Sequence, residues 1–177
     1  MEEQKSKEWK GETSVELQNT TPKQIWPLIS NFCTINKWLP HVKTCYLLQG
    51  VHGEPGMIRY CGSTELLGEG TQWATEKLLT IDSSNMCFSY EIVDNNVGFK
   101  RYVATVRLEE VDGGEGVCGC RIVWSFVADP VEGFSFEGFV GFIESIAKVM
   151  GTKMQEALLN NEVGLPDSLN PSDSGII

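Results

Sequence analysis

Between Val42 and Ala128 the apolar residues of this chain recur at about every second position, and from Phe139 onward they recur at every third or fourth. That change of period constrains the fold more than any motif, because period two marks half-buried strands and a period near 3.6 marks a helix. Strands are predicted over residues 42–49, 57–63, 71–81, 86–93, 101–111 and 120–128, with Gly, Asn, Asp or Ser at each junction. An earlier strand spans residues 9–18, where Trp9, Gly11, Thr13, Val15 and Leu17 alternate with polar neighbours. Short connections between successive strands imply antiparallel pairing, and a sheet that long must twist and curl.

Helical pattern appears twice. Thr20-Thr21-Pro22 reads as a hydroxyl cap followed by proline, opening a short helix through Ile25, Trp26, Leu28 and Ile29 that tolerates Pro27 early on. A second short helix is expected around residues 34–38, ending before Pro40. Near the C-terminus Phe139, Ile143, Ile146, Met150, Met154 and Ala157 form one stripe, with Phe134, Phe136 and Phe142 adding aromatic bulk at its start. The architecture predicted is α+β: a curved seven-stranded antiparallel sheet with two short helices, wrapped around one long C-terminal helix. One helix face cannot fill such a sheet, so a ligand cavity is expected between them. The domain should cover residues 9–161. The charged N-terminal residues 1–8 and the Pro-, Ser- and Asp-containing residues 162–177 read as disordered.

A formal charge of −10 argues against a nucleic-acid partner, since phosphate binding needs a basic surface. No stretch approaches the ~18 consecutive apolar residues of a membrane span. The mixed-sign opening segment lacks a secretory apolar core, so the expected location is cytoplasmic. Six cysteines scattered through apolar segments then read as reduced thiols. Cys118-Gly-Cys120 is one residue short of a CxxC pair, and His41 and His52 sit in no ligand-spaced motif, so no metal is expected.

Strand alternation sorts the side chains. Tyr102, Ala104, Val106 and Leu108 share an inward face, as do Cys120, Ile122, Trp124 and Phe126. In the fourth strand a solvated Lys77 turns Glu76 inward with Ala74 and Leu78. A hairpin centred on Leu67-Gly68 then sets Arg59 directly opposite Glu76. An ion pair in an apolar wall needs a reason, because apolar residues of similar volume are often as stable or better by ~1–4 kcal/mol. The plain alternative is an outer-face pair worth under about 1 kcal/mol. The wall residues expected to meet a ligand are Trp73, Ala74, Leu78, Phe88, Tyr90, Ala104, Trp124 and Phe126 on strands. Phe139, Ile143, Ile146 and Met150 would meet it from the helix.

This layout resembles the birch-pollen-allergen superfamily of START-like helix-grip proteins, the polyketide cyclase/dehydrase and lipid transport group. Gly50-Val-His-Gly53-Glu-Pro-Gly56 stands where that superfamily has a glycine-rich loop. Trp9-Lys-Gly11, Pro22-Lys-Gln-Ile-Trp26, Ile58-Arg59-Tyr60, Trp73-Ala-Thr-Glu76-Lys77-Leu78, Asn85-Met86, Tyr102-Val-Ala-Thr105 and Trp124-Ser-Phe126 are similar, in order, to the lachrymatory-factor synthases of onion. That resemblance covers about residues 9–158. It implies a cofactor-independent isomerase that rearranges a small sulfenic acid, with Arg59, Glu76 and Tyr102 as its catalytic residues. Arg59 would hold the S–OH oxygen, Glu76 would move the proton, and Tyr102 would orient either partner. Leu66-Leu-Gly-Glu-Gly-Thr-Gln72 departs from the synthase pattern, with Gln72 in place of an aromatic, which bears on pocket shape.

Two other classes stay open. A plant lipid or metabolite carrier would use Arg59 to anchor a carboxylate or phosphate. A hormone receptor of the abscisic-acid type would carry a Ser-Gly-Leu-Pro-Ala gate and a His-Arg-Leu latch. Here those loops read Gly62-Ser-Thr-Glu-Leu-Leu-Gly68 and Asp94-Asn-Asn-Val-Gly-Phe99. The expected partner is a small apolar or amphipathic ligand, with no cofactor, no membrane insertion, and a monomer or weak dimer.

Overall fold

The computed structural model describes residues 7–63 and 70–160. Strand β1 (Trp9–Gln18) leads into helix α1 (Pro22–Ile29), a 3₁₀ turn (Phe32–Thr34) and the single-turn helix α2 (Ile35–Trp38). Then come β2 (Val42–Gln49), β3 (Ile58–Ser63), β4 (Trp73–Asp82), β5 (Cys87–Asn95), β6 (Tyr102–Asp112) and β7 (Cys118–Ala128), before helix α3 (Phe136–Leu159). All seven strands form one antiparallel sheet in the order β1-β7-β6-β5-β4-β3-β2, so β1 and β2 are its edges. This is the predicted architecture. The expected turn at Leu67-Gly68 and both expected disordered ends lie largely outside the described residues.

Local chemistry sets the helix starts. Thr21 caps α1 with a complete capping box: its hydroxyl accepts from the Gln24 amide, and the Gln24 side chain accepts from the Thr21 amide. Ser135 caps α3 by accepting from the Gly138 amide. The second short helix is broken into two pieces, the 3₁₀ turn and α2.

The α3 stripe differs from expectation at one place. Its buried residues are Phe139, Ile143, Ala147, Met150, Gly151, Met154 and Ala157, while Ile146 is half-buried at the margin. Small residues hold the centre because the helix runs close to β1: a Cβ on Gly151 would stand 2.7 Å from Leu17 Cδ2. At the helix's N-terminal end Phe139 wedges against Phe126 (ring centroids 5.1 Å apart, 89° between planes) and Tyr102 (6.0 Å). Phe126 fills the space over Gly11, where a Cβ would lie 2.5 Å from its ring.

Candidate functional site

Alternation along β3 and β4 places the ion pair. Arg59 and Glu76 are direct cross-strand partners, the register that the Leu67-Gly68 hairpin predicts. Arg59 is only 4 % exposed, so the pair lies on the inner face. Its Nε donates to Glu76 Oε2 at 2.7 Å and its Nη2 stands 2.5 Å from the same oxygen. Nη1 donates to the Phe32 carbonyl of the 3₁₀ turn, and the guanidinium lies 3.8 Å from the Phe32 ring centroid and 5.7 Å from that of Tyr90. Burial is the largest single influence and works against the arginine's charge, but Glu76 together with Cys61, Cys45 and Tyr90 outweighs it and holds the guanidinium more firmly protonated than usual. The Glu76 side chain keeps 14 % exposure. Register shifts against β5 flank it, between Thr75 and Glu76 and between Leu78 and Thr80. Such bulges re-aim side chains, and Leu78 and Ile81 both turn toward the core across the second one.

Two spaces adjoin the pair. The inner one, about 10 Å³, is bounded by Arg59, Phe88, Tyr90, Trp124, Met150 and residues of the first helical segments. That is roughly the room of one water. The Trp124 indole N–H, buried beside it, has no hydrogen-bond partner among the described residues. The outer space is an open cleft of about 390 Å³. Its walls come from β3 and β4 (Cys61, Ser63, Trp73, Ala74), from Gln72 just before β4, from Val97 and Phe99, from His41, from Val131 and Phe134 ahead of α3, and from Phe142 in its first turns. Cys61 joins the cleft to the pair, its Sγ 4.0 Å from Glu76 Oε2.

The residues predicted for a site therefore divide. Phe88, Tyr90, Trp124 and Met150 bound the inner space with Arg59, and Ala74 and Trp73 line the cleft. The Trp73 ring is turned to the outer face, stacked on Tyr60 at 6.2 Å. Leu78, Ala104, Phe126, Phe139 and Ile143 are packed into the core and line neither space. Ile146 lines neither and sits half-buried on α3. Tyr102 makes no hydrogen bond to Arg59 or Glu76 among the described residues. The reason is topological: β6 is separated from β4 by β5, a distance of about two strand spacings, or ~10 Å. Tyr90 on β5 is the nearer phenol, its ring 6.1 Å from that of Tyr102. Burial pushes both hydroxyls well above the ordinary tyrosine range, so both are neutral donors. Sequence reasoning missed His41, Cys61 and Phe99 as wall residues. The aromatic cluster at 134–142 was visible, but its use as a cleft wall depends on where α3 crosses the sheet.

The family described as polyketide cyclase / dehydrase and lipid transport matches residues 8–161. Among curated proteins, the abscisic acid receptor PYL2 of Arabidopsis thaliana is 25 % identical over 126 residues, 71 % of this chain and 65 % of the receptor. The abscisic acid receptor PYL7 of the same plant is 27 % identical over 128 residues, 70 % of this chain and 56 % of the receptor. The chain thus matches under two thirds of the length of these relatives. Among solved structures, the protein XoxI from Bacillus cereus superimposes with a TM-score of 0.66 at 23 % identity, covering 87 % of this chain and 98 % of that one. That likeness speaks to the helix-grip fold. No described helix is long and apolar enough to cross a membrane.

Proposed function

The chain belongs to the polyketide cyclase / dehydrase and lipid transport family, and from that premise we propose that it binds a small, largely apolar organic molecule in the cleft between β3, β4 and the start of α3. The cleft itself carries this reading. Its volume of about 390 Å³ falls in the range of small-ligand sites, and its walls are mostly apolar with a few polar groups. The relatives named as receptors for abscisic acid support a small organic ligand here. Their signalling role does not carry over, because the gate and latch motifs are absent from the sequence.

A second reading is favoured by the Arg59–Glu76 pair: cofactor-independent isomerisation of a small sulfenic acid, as in the plant lachrymatory-factor synthases. Glu76 would take the S–OH proton and return it to a carbon, while Arg59 balances negative charge on the oxygen. For this the pair must exchange an internal contact for substrate, because Arg59 is occupied on Nε, Nη1 and Nη2. Tyr90, nearer than Tyr102, would supply the neutral hydrogen bond.

One experiment separates the readings. The protein is mixed with an alkenyl sulfenic acid released in place by a C–S lyase, and the thial S-oxide is measured against the spontaneous thiosulfinate. Catalysis predicts thial S-oxide from wild type and a loss of ~10²–10⁴ in rate for Glu76→Gln. A carrier predicts no product, retained ligand binding by Glu76→Gln, and loss of an acidic ligand in Arg59→Leu. Wild type that neither makes product nor binds any small apolar molecule would refute both.

A further inference from the structure

Cys45 on β2 and Cys61 on β3 stand directly opposite one another in the antiparallel register, with their sulfurs 3.7 Å apart. Directly opposed residues have Cβ atoms about 4.5–5.5 Å apart, close to the ~3.5–4.5 Å that a disulfide requires. Forming the bond therefore needs rotation of the thiols and a small approach of the strands, with no change of register. β2 can make that approach. It is an edge strand, and its pairing with β3 is irregular on both sides of Cys45, between Val42 and Thr44 and between Leu47 and Gln49.

The two sulfurs are chemically unequal. Cys61 donates its S–H toward the Cys45 sulfur, which draws the Cys45 thiol down to about 7 against the opposing effect of burial, with Arg59 helping. The same bond, with burial, pushes Cys61 far up, so Cys61 stays a thiol. Glu76 from β4 opposes the shift, the Ile35 backbone of α2 adds to it through a hydrogen bond, and Cys45 in turn helps raise the nearby Cys33 thiol. Cys61 also lines the cleft, which gives small solutes a path to the pair. The remaining cysteines lack this setting. Burial raises Cys87 and lifts Cys120 to about 12, and Cys118 is exposed near the β6–β7 turn.

We propose that Cys45 and Cys61 are a redox-active dithiol, which a peroxide converts reversibly into a cross-strand disulfide with Cys45 as the attacking sulfur. In the first step the Cys45 thiolate attacks one oxygen of hydrogen peroxide. An S–O bond forms, the O–O bond breaks, and hydroxide leaves to be protonated to water. In the second step the Cys61 sulfur attacks the Cys45 sulfenic acid while its proton goes to the departing hydroxide. The S–S bond forms, the S–O bond breaks, and a second water is released. Two thiols are oxidised by two electrons in total and one peroxide is reduced. A dithiol reductant reverses the change. The proposal is independent of what the cleft binds.

The test treats the full-length chain with a small excess of hydrogen peroxide. It then alkylates under denaturing, non-reducing conditions and maps peptides by mass spectrometry. The expected first product is a Cys45–Cys61 linked peptide pair, with the other four cysteines alkylated and the link lost on dithiothreitol treatment. In Cys61→Ser, which keeps a hydroxyl donor toward Cys45, dimedone should trap a sulfenic acid at Cys45. In Cys45→Ser it should leave Cys61 unlabelled. In the wild-type chain the initial rate of Cys45–Cys61 disulfide formation by hydrogen peroxide should rise as pH increases through about 7. A first product at Cys118, a Cys33–Cys45 link, or irreversible oxidation of Cys45 without a link would each overturn the proposal.

Discussion

Arg59 carries five N–H donors on a planar fork, and three of its nitrogens are engaged inside the protein, two on Glu76 and one on the Phe32 carbonyl. Breaking such a buried pair from one side is expensive, while replacing both partners by apolar residues is often neutral or favourable. Glu76→Leu alone should therefore destabilise by about 3–5 kcal/mol in urea unfolding. The double variant Arg59→Met with Glu76→Leu should recover most of that loss, or exceed wild type, while losing ligand binding. A double variant as unstable as the single one would mean that the pair serves structure. The pairing itself was legible in the sequence, because strand alternation and a hairpin centre determine which residues oppose. The Phe32 carbonyl and the nearness of Tyr90 were not, since they depend on where the 3₁₀ turn and β5 lie in space. His41 offers a second test at this scale. Burial and then Lys43 hold its imidazole below the ordinary value of 6.5, so the folded state binds fewer protons than the unfolded state in that window. Stability from this group is complete above 6.5 and is lost as pH falls toward the lowered folded value. Tm measured against pH should decline less steeply on the acid side in His41→Gln than in wild type.

Helix α3 and β1 meet through small residues, which the stripe of large apolar side chains in the sequence concealed. Periodicity found Phe139, Ile143, Met150, Met154 and Ala157, but it chose Ile146 where the helix buries Ala147 and Gly151. Hydrophobic pattern scores size, and close approach of a helix to a sheet selects against it. Gly11 is the matching case on β1, since the Phe126 ring and Val140 occupy the place of a side chain. Gly11→Ala should cost about 1–3 kcal/mol by overpacking, read from the urea midpoint. Met150, 4 % exposed, borders the inner space beside Arg59. Met150→Asp should destabilise by several kcal/mol, because it buries a charge beside Arg59, which is already paired with Glu76. An unchanged Tm for Met150→Asp would contradict the placement of α3.

Across the molecule, the β2–β7 meander and the single long helix followed from the order of periods along the chain, because short connections favour antiparallel neighbours, whereas the pairing of β1 with β7 joins distant strands and was not legible in the pattern. The location of the open cleft did not follow in the same way. Sequence alternation pointed into the sheet's concave face, where Tyr102, Phe126 and Phe139 instead pack against one another. The cleft opens at the end of that face, where the aromatic start of α3 stands over β3 and β4. Gln72, which replaces an aromatic of the synthase pattern, is one of its lining residues. Ala74 is another, small and placed opposite Cys61 in the register. The most direct measurement is therefore small-molecule mass spectrometry on extracts of the natively expressed protein, wild type beside Ala74→Trp, which fills the cleft. Occupancy of the cleft predicts a specific apolar molecule recovered in near-equal amount to wild-type protein and missing from the folded variant. Recovery of the same molecule at the same level from both proteins, or of none from wild type, would contradict it.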